Sequence, residues 1–500
     1  MQTKPMFVAL LLCGLLLSPT SAAPQTSAER IDALLSKYNE YELFNGVVLV
    51  AAGGQAIYKK GFGYADMAWD VPNEPSTKFR VGSVTKQFTA ALILQLVEDG
   101  KIDLQAPITE YLPEYPAEQG DRVTIHHLLT HTSGIPSYTG LPEFGEIMRD
   151  PYEPEEFLEV FSNLELEFEP GSEWSYSNSG YFLLGVIIER VTGRPYEEVL
   201  RDRILSPLGL ENTGYDNYGE VIEGAAEGYV QTVLGYEDAP YLDTSIPYSA
   251  GMMYSTVENL FQWDRSLYGK GPFREARTKD LMFTPHAAVP FDEDEDVHYG
   301  YGWLLRRVAV GEDTIDVIEH GGGIFGFTTA FRRIPEDRNT VIIMDNTGSS
   351  AVPEISGGII DILYGQKPAE PKRPIARVLA PIIEREGLEA AIARYRDLKS
   401  RERDVYDFGE PQLNTLGYYY LGRDEIDTAI RIFQLNVEAY PEAFNTYDSL
   451  GEAYIEAGER ELAIENYRKS LDLNPENENA MRMLERLGVE VEDENTRTPG

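Results

Sequence analysis

The chain contains almost no cysteine. Of its 500 residues, Cys13 is the single cysteine, and it lies in an apolar N-terminal segment. Beyond that segment the sequence therefore excludes disulfides, a thiol nucleophile and a cysteine-ligated zinc site. A chain of this length is expected to form two or three domains, which can be large enough to hold together by packing alone.

Basic residues are scarce as well. The sequence has 43 Lys and Arg against 83 Asp and Glu, which gives a formal net charge of −40 at pH 7. A surface this acidic repels the phosphates of nucleic acids and of anionic membranes. We therefore expect no nucleic-acid partner, and the charge by itself indicates no particular reaction.

Long apolar runs are absent except near the N-terminus. Residues 7–17 are an apolar stretch that follows Lys4 and precedes small residues at 20–23. This pattern predicts a signal peptide over residues 1–23, and hence a periplasmic or secreted protein with no stable membrane span after cleavage. An uncleaved N-terminal anchor is the alternative, although the run is shorter than the roughly 20 residues that a membrane helix needs.

Composition divides the chain into successive regions. Residues 28–365 mix strand-like runs, helical patterns and many Gly and Pro turns, which predicts an α+β domain. Three prolines within residues 366–374 predict a stiff linker, which continues into a helical connector up to residue 400. Residues 401–490 have no strand alternation and are predicted to be all-α, while residues 491–500 are predicted to be a disordered tail.

The all-α region contains an internal repeat. Five positions recur 34 residues later: Leu416-Gly417 as Leu450-Gly451, Tyr420 as Tyr454, Ala429 as Ala463, Phe433 as Tyr467, and Pro441 as Pro475. This period resembles the tetratricopeptide pattern of paired helices, and Met481, Leu484 and Leu487 suit a capping helix. The repeats are expected either to bind a protein partner in a groove or to act only as a packing appendage, since a repeat fold alone does not specify a ligand.

The first segment whose side chains could carry out a reaction contains Ser83 and Lys86. It precedes a strong helical pattern over residues 89–98 that stops at Gly100. Residues three apart on a helix lie on one face, so the two side chains are expected to be adjacent. A serine hydroxyl becomes a good nucleophile when a neighbouring base accepts its proton, and a buried lysine can be neutral enough to do so. Alone, this spacing is weak evidence, because it also fits an ordinary helix start.

Two further segments could complete such a site. Tyr176 and Asn178 are two residues apart in a Ser- and Gly-rich loop before a helical pattern over residues 182–191. In an extended turn they point the same way, so a phenolate near a cation could act as a base and the amide could orient a carbonyl group. The alternative is a loop tyrosine that only packs its ring.

The other segment contains His320 and the glycines that follow it, Gly321, Gly322 and Gly323. It lies between strand-like runs over residues 313–318 and 327–332, as an inner strand beside a cleft would. Glycines permit close backbone approach and leave an N–H free for an oxyanion. A tight glycine turn is the alternative.

Together the three segments resemble the penicillin-binding protein and class C β-lactamase-like serine hydrolases. The order Ser-x-x-Lys, Tyr-x-Asn and His-x-Gly, the last in place of Lys-Thr-Gly, is the pattern of that family. Residues 124–135, 207–210 and 249–252 also look like family signatures. The resemblance covers about residues 30–365 and implies an antiparallel sheet flanked by helices, with a helical subdomain.

The resemblance also implies roles for individual residues. Ser83 would be the acylated nucleophile, Lys86 its proton partner and Tyr176 a general base. Asn178 would hold the substrate amide or the Lys86 ammonium. His320, Gly322 and Gly323 would bind the substrate, with the backbone N–H groups of Ser83 and Gly323 forming the oxyanion hole. The reaction would be acyl transfer, with neither a metal nor a cofactor.

His320 is a departure from the family pattern. A lysine there carries a fixed positive charge for a substrate carboxylate, whereas histidine is mostly neutral at pH 7. An esterase or a peptidase acting on D-amino-acid peptides is therefore favoured over an efficient β-lactamase.

Two metal sites and one non-catalytic function are alternatives. His127 and His131 have the spacing of helical zinc ligands, but no third ligand is apparent beside them. The acidic run over residues 292–296 could bind calcium, but it lacks a glycine-turned loop. The non-catalytic alternative is a scaffold that retains the fold while the repeats recruit a protein partner.

Overall fold

The computed structural model describes residues 25–217, 219–290 and 296–489. The predicted signal peptide over residues 1–23, the predicted tail over residues 491–500 and most of the acidic run over residues 292–296 lie outside the described residues.

The strands belong mainly to one large sheet. In chain order they are β1 (Gly46–Ala52), β2 (Gln55–Phe62), β3 (Tyr64–Asp66), β4 (Val71–Pro72), β5 (Phe79–Arg80), β6 (Gly214–Tyr215), β7 (Tyr229–Thr232), β8 (Gly235–Asp238), β9 (Met253–Ser255), β10 (Ala287–Ala288), β11 (Val297–Tyr299), β12 (Leu304–Val310), β13 (Asp313–Ile324), β14 (Phe327–Ile334), β15 (Asn339–Asp345), β16 (Arg373–Pro374) and β17 (Tyr406–Asp407). Within the described residues the large sheet has eight strands in the order β10-β11-β12-β13-β14-β15-β1-β2. Its neighbouring strands are all antiparallel.

The helices fall into two groups along the chain. Those that accompany the sheet are α1 (Ser27–Glu40), α2 (Thr85–Glu98), α3 (Ala117–Gly120), α4 (Ile125–Thr130), α5 (Phe144–Ile147), α6 (Pro154–Phe157), α7 (Asn178–Thr192), α8 (Tyr196–Leu200), α9 (Ser206–Leu208), α10 (Tyr248–Gly251), α11 (Val257–Ser266), α12 (Ala276–Asp280) and α13 (Val352–Leu363). The C-terminal group is α14 (Ile375–Glu386), α15 (Leu388–Arg401), α16 (Glu410–Leu421), α17 (Ile426–Ala439), α18 (Phe444–Glu456), α19 (Arg460–Leu473) and α20 (Glu478–Arg486).

Helices cover both faces of the central strands. Alternate residues of a strand point to opposite faces, so Val47 and Leu49 of β1 pack into the core formed with α2, α7 and α11. Val48 and Val50 pack instead against α1 and α13. Because β1 is apolar on both faces, it lies between two layers of helices, and the α+β fold with flanking helices is confirmed.

The C-terminal helices pack as pairs in register with the sequence repeat. Gly417 of α16 faces the Phe433 ring of α17, where an added Cβ would lie 2.4 Å from a ring carbon. One period later, Gly451 of α18 faces the Tyr467 ring of α19 in the same way, at 3.1 Å. Both rings are fully buried. The contact between a glycine and an aromatic ring thus recurs with the 34-residue period, and the tetratricopeptide assignment stays a prediction.

Three local predictions need correction. The chain after residue 375 is not wholly helical, because β17 pairs in parallel with β16, where the extended backbone presents the Arg373 N–H to the Val405 carbonyl (2.9 Å). The helix after Ser83 begins at Thr85 rather than at residue 89. The helix after Tyr176 begins at Asn178 rather than at residue 182, because the Ser177 hydroxyl caps it by accepting from Gly180 N–H (3.3 Å).

No helix in the described ranges is both long and apolar enough to cross a bilayer.

Candidate active site

Ser83 lies in a tight turn against strand β13. A single turn of 3-10 helix over Gly82–Val84 leads into α2 and leaves Ser83 partly exposed. Gly82 has a positive φ of 53°, and a Cβ there would lie 2.8 Å from Gly323 N. A Cβ on Gly322 would lie 1.9 Å from the Val81 carbonyl oxygen. These two glycines are required because the backbones of the turn and of β13 touch.

Lys86 is fully buried one helical turn after Ser83. Its Nζ lies 3.1 Å from Ser83 Oγ, 2.7 Å from Asn178 Oδ1 and 2.9 Å from the Ala250 carbonyl oxygen. Burial holds the pKa of Lys86 well below its ordinary value, because the charged form is costly away from water. A neutral amine has two N–H donors and one lone pair. It can donate to the two carbonyl-type oxygens and still accept the proton of the Ser83 hydroxyl.

Asn178 connects Lys86 to the neighbouring loop. It is the first residue of α7, and its Oδ1 accepts the hydrogen bond from Lys86. Its Nδ2 donates to Thr139 Oγ1 (3.1 Å). The side-chain amide is therefore held at both ends, and it lies beside the lysine as its predicted role required.

Tyr176 lies over the Lys86 amine. Lys86 Nζ is 4.8 Å from the centre of the Tyr176 ring, and the Tyr176 hydroxyl is buried although the ring is partly exposed. Burial raises the pKa of Tyr176 above its ordinary value, and the neighbouring Ser83 hydroxyl lowers it in part. The resting protein therefore holds Tyr176 as a neutral phenol. The resting phenolate considered from sequence is not favoured, and the buried amine is the group poised to accept a proton.

His320 is buried on the sheet side of the site. Its Nε2 lies 2.9 Å from the Tyr299 hydroxyl, and its Nδ1 lies 2.6 Å from the Gly321 carbonyl oxygen. A carbonyl oxygen can only accept, so Nδ1 carries the proton and Nε2 accepts from Tyr299. Burial, with a smaller contribution from Lys86, lowers the pKa of His320 to about 4. The imidazole is therefore neutral at pH 7.

His131 supports the loop that holds Tyr176. Its ring centre is 4.3 Å from that of Tyr176, and its Nδ1 accepts from the Ser177 backbone N–H (3.1 Å). Helix α4 ends at Thr130, and His131 follows in a left-handed conformation with φ 60°. The shared helix face that the zinc alternative for His127 and His131 required is thus absent. From the sequence, His131 is predicted only as a possible metal ligand or as part of a family signature, so its contact with Tyr176 is a contribution that the spacing did not indicate.

The Ala250 carbonyl oxygen also contributes to the site, and the spacing of residues in the sequence did not predict this. Residues 249–252 resembled a family signature, and the structure shows that the Ala250 oxygen contacts Lys86. A backbone group leaves no side-chain signal, so the composition of the segment was the only available indication.

Ser83, Asn178 and Gly323 line one large cavity of about 700 Å³. The Gly323 backbone faces open space, since a Cβ there would meet nothing within 4 Å. A substrate carbonyl placed at Ser83 would have the N–H groups of the turn and of β13 beside it, and such groups can stabilise an oxyanion. Ser83, Lys86, Tyr176, Asn178, His320, Gly322 and Gly323 are thus brought to one place.

Comparison with known proteins decides the family. A family model described as Beta-lactamase matches residues 31–363, which is well over half of the chain. The chain belongs to the β-lactamase family. Relatives that include an esterase and an amidase, together with the Ser83–Lys86 geometry, identify this β-lactamase-family protein as a serine hydrolase that acts by acyl transfer.

The relatives differ in their named activities. Penicillin-binding protein 4* of Bacillus subtilis is 32% identical over 368 residues, which cover 70% of this chain and 79% of that protein. Esterase EstB of Burkholderia gladioli is 36% identical over 204 residues, covering 38% of this chain and 51% of the esterase. The crystal structure of D-amino acid amidase from Ochrobactrum anthropi SV3, complexed with L-phenylalanine amide, is similar with a TM-score of 0.59 at 27% identity, covering 68% of this chain and 99% of the amidase.

Adjacent glycines of β13 provide a matched pair of substitutions. Gly322→Ala places a Cβ 1.9 Å from the Val81 carbonyl oxygen, whereas Gly321→Ala places one 3.6 Å from the nearest atom, an ordinary contact. Gly322→Ala must move β13 away from the Ser83 turn, so we expect kcat/KM for a p-nitrophenyl ester to fall on the order of 100-fold. Gly321→Ala should stay close to wild type. Equal losses in the two variants would show that the contact does not position the site.

Proposed function

We propose that the protein hydrolyses uncharged esters and amides, including D-amino-acid peptides, through an acyl-enzyme on Ser83. In the first step Ser83 Oγ attacks the substrate carbonyl carbon and its proton passes to the neutral Lys86 amine. The backbone N–H groups of Ser83 and Gly323 hold the negative oxygen that forms. The resulting Lys86 ammonium then protonates the leaving group, either directly or through the Tyr176 hydroxyl.

Water completes the cycle. A water molecule that takes the place of the leaving group attacks the ester carbon and loses its proton to the Lys86 amine, either directly or through the Tyr176 hydroxyl. Ser83 Oγ leaves with a proton, which restores the neutral amine. The observation that carries this proposal is the 3.1 Å contact between Ser83 Oγ and a buried Lys86 Nζ.

The charged groups near the cavity indicate which substrate charge the site favours. His320 occupies the position where the family pattern has lysine, and its lowered pKa leaves it neutral at pH 7. Arg377 lines the far side of the cavity but is bound to Glu42 Oε2 (3.1 Å). A substrate carboxylate would thus gain little in this cavity, which favours an esterase or amidase over an efficient β-lactamase. The names of the Burkholderia esterase and the Ochrobactrum amidase support this preference.

We further propose that the protein acts in the periplasm or outside the cell. The apolar run over residues 7–17, preceded by Lys4 and followed by small residues, supports export.

A purely scaffolding function is the weaker candidate. Within the described residues the Lys86 amine has no carboxylate partner, so its burial destabilises the fold. Buried ionisable groups of this kind are concentrated at sites where their altered pKa serves a reaction. A protein that only recruited partners would have no need of this lysine beside a partly exposed serine.

Loss of the nucleophile or of the base tests the proposed chemistry. Wild type should be labelled by a fluorescent fluorophosphonate, and Ser83→Ala should not be labelled at all. Lys86→Met keeps the side-chain volume but removes the amine, so labelling should slow by about 100-fold to 10,000-fold. Its thermal unfolding should be no worse than that of wild type, since an apolar side chain replaces a buried amine. Labelling of Ser83→Ala would contradict the assignment of the nucleophile.

A substrate pair tests the charge preference. We expect kcat/KM for an N-acetylated D-amino-acid anilide, which is uncharged, to exceed that for the same anilide with a carboxylate on its ring, and to exceed that for benzylpenicillin. Because the pKa of His320 is lowered to about 4, this preference should not change between pH 5.5 and 7.5, roughly one unit or more above that value. The measurement is steady-state kinetics at both pH values. A preference for the carboxylate compounds would contradict the proposal.

A further inference from the structure

The outer wall of the active-site cavity comes from the C-terminal helices. The cavity that begins at Ser83 is also lined by Ala376 and Arg377 of α14 and by Gln412 and Thr415 of α16. The β-lactamase match ends at residue 363, so these four residues lie beyond the family domain. A region outside the catalytic fold therefore forms part of the surface that a substrate meets.

Arg377 fixes this wall to the catalytic domain. Its Nη1 donates to the Glu42 carbonyl oxygen (3.0 Å) and to Glu42 Oε2 (3.1 Å), and its Nη2 donates to the Thr232 carbonyl oxygen (3.0 Å). Its guanidinium also lies over the Tyr236 ring, 5.7 Å from the ring centre. The Arg377 side chain is 11% exposed. Charge-assisted hydrogen bonds at this degree of burial hold α14 in one position against the sheet domain.

The β7–β8 hairpin connects the two regions by apolar packing as well. Val233, at the hairpin turn, is buried in the same hydrophobic cluster as Ile375 and Leu379 of α14. Val230 and Thr232 of the hairpin line the cavity. The hairpin therefore contacts the C-terminal helices and lines the same cavity as the catalytic serine.

The cavity lining combines apolar and polar side chains. In the catalytic domain it includes Tyr138, Leu242 and Ile246, which are apolar or aromatic. At the helical wall it includes Gln412 and Thr415. Gln412 Nε2 donates to Asp407 Oδ2 (2.7 Å), so the amide oxygen is the atom that can accept a hydrogen bond from a ligand. The exposed Thr415 hydroxyl can donate or accept.

We propose that the C-terminal helices are a substrate-selecting wall, which binds the distal part of an extended substrate through a neutral amide group. The apolar part of such a substrate lies along the middle of the cavity, and an amide N–H at its far end donates to Gln412 Oε1, with Thr415 beside it. This inference rests on the proposed function, because it presumes that acyl transfer takes place at Ser83. It narrows the substrate class to compounds with a second amide some distance from the scissile bond, as in a peptide.

Three p-nitrophenyl esters test the wall in the full-length protein. They are the acetate, the decanoate and the ester of N-acetylated aminohexanoic acid, which combines an apolar chain with a distal amide. Wild type should have its highest kcat/KM for the amide ester. Thr415→Trp fills the far end from an exposed position, so the ratio of kcat/KM for the amide ester to that for the acetate should fall by about tenfold or more.

Two further variants separate recognition of the amide from a loss of folding. Gln412→Ala removes the acceptor, and we expect the ratio of amide ester to decanoate to fall about threefold to tenfold. Glu456→Trp adds the same ring at an exposed position of α18 outside the cavity lining, and it should keep the wild-type ratios. Circular dichroism and thermal unfolding of each variant report on the fold.

The outcomes separate the two proposals. If wild type hydrolyses the acetate and Ser83→Ala does not, the proposed function stands whatever the ratios are. If wild type then shows no preference for the amide ester, or if Thr415→Trp and Glu456→Trp give the same ratios, the substrate-selecting wall is overturned. Hydrolysis of the acetate by Ser83→Ala would instead contradict the proposed function.

Discussion

Burial of the Lys86 amine beside Ser83 is the constraint on which the rest of the site depends. Among the residues that the structure describes, no carboxylate pairs with Lys86 to offset the loss of water by an ammonium ion, and burial lowers the pKa of the amine. The Asn178 and Ala250 oxygens satisfy two N–H groups, which leaves the lone pair for the Ser83 hydroxyl. Burial of the lysine reduces the stability of the fold, and the same burial lowers the pKa of the amine so that it can act as a base.

The surrounding elements keep water away from this amine while leaving the serine accessible. Helix α2 carries Lys86 and the turn before it carries Ser83, α7 brings Asn178, and the Tyr176 ring covers the amine. Strand β13 closes the opposite side, where Gly322 permits backbone contact with the Ser83 turn. The cavity then extends outward from Ser83 to the C-terminal helices, so chemistry and substrate selection are carried by different parts of the chain.

The family, the α+β fold and the proximity of the site residues could be predicted from short-range patterns. The three-residue spacing of Ser83 and Lys86 predicts that they share one face, and the uninterrupted apolar run of β1 indicates a strand that is buried on both sides. The position of the Ala250 carbonyl could not be predicted, because a backbone oxygen has no residue-type signal. The contribution of Gln412 and Thr415 to the cavity could not be predicted either. It depends on the position of α14, which Arg377 fixes by binding Glu42, a residue more than 300 positions earlier in the chain. The protonated state of Tyr176 likewise depends on burial by distant segments.

The protonation state of Lys86 in the resting protein tests this account most directly. Protein labelled with ¹³C at the lysine Cε positions can be titrated by NMR, with Lys86→Met used to assign the Lys86 resonance. We predict that one resonance, absent from Lys86→Met, titrates well below the ordinary lysine value of about 10.4. A Lys86 resonance that titrates at or above that value would contradict the account, because the amine would then be an ammonium ion at neutral pH and could not accept the proton of Ser83.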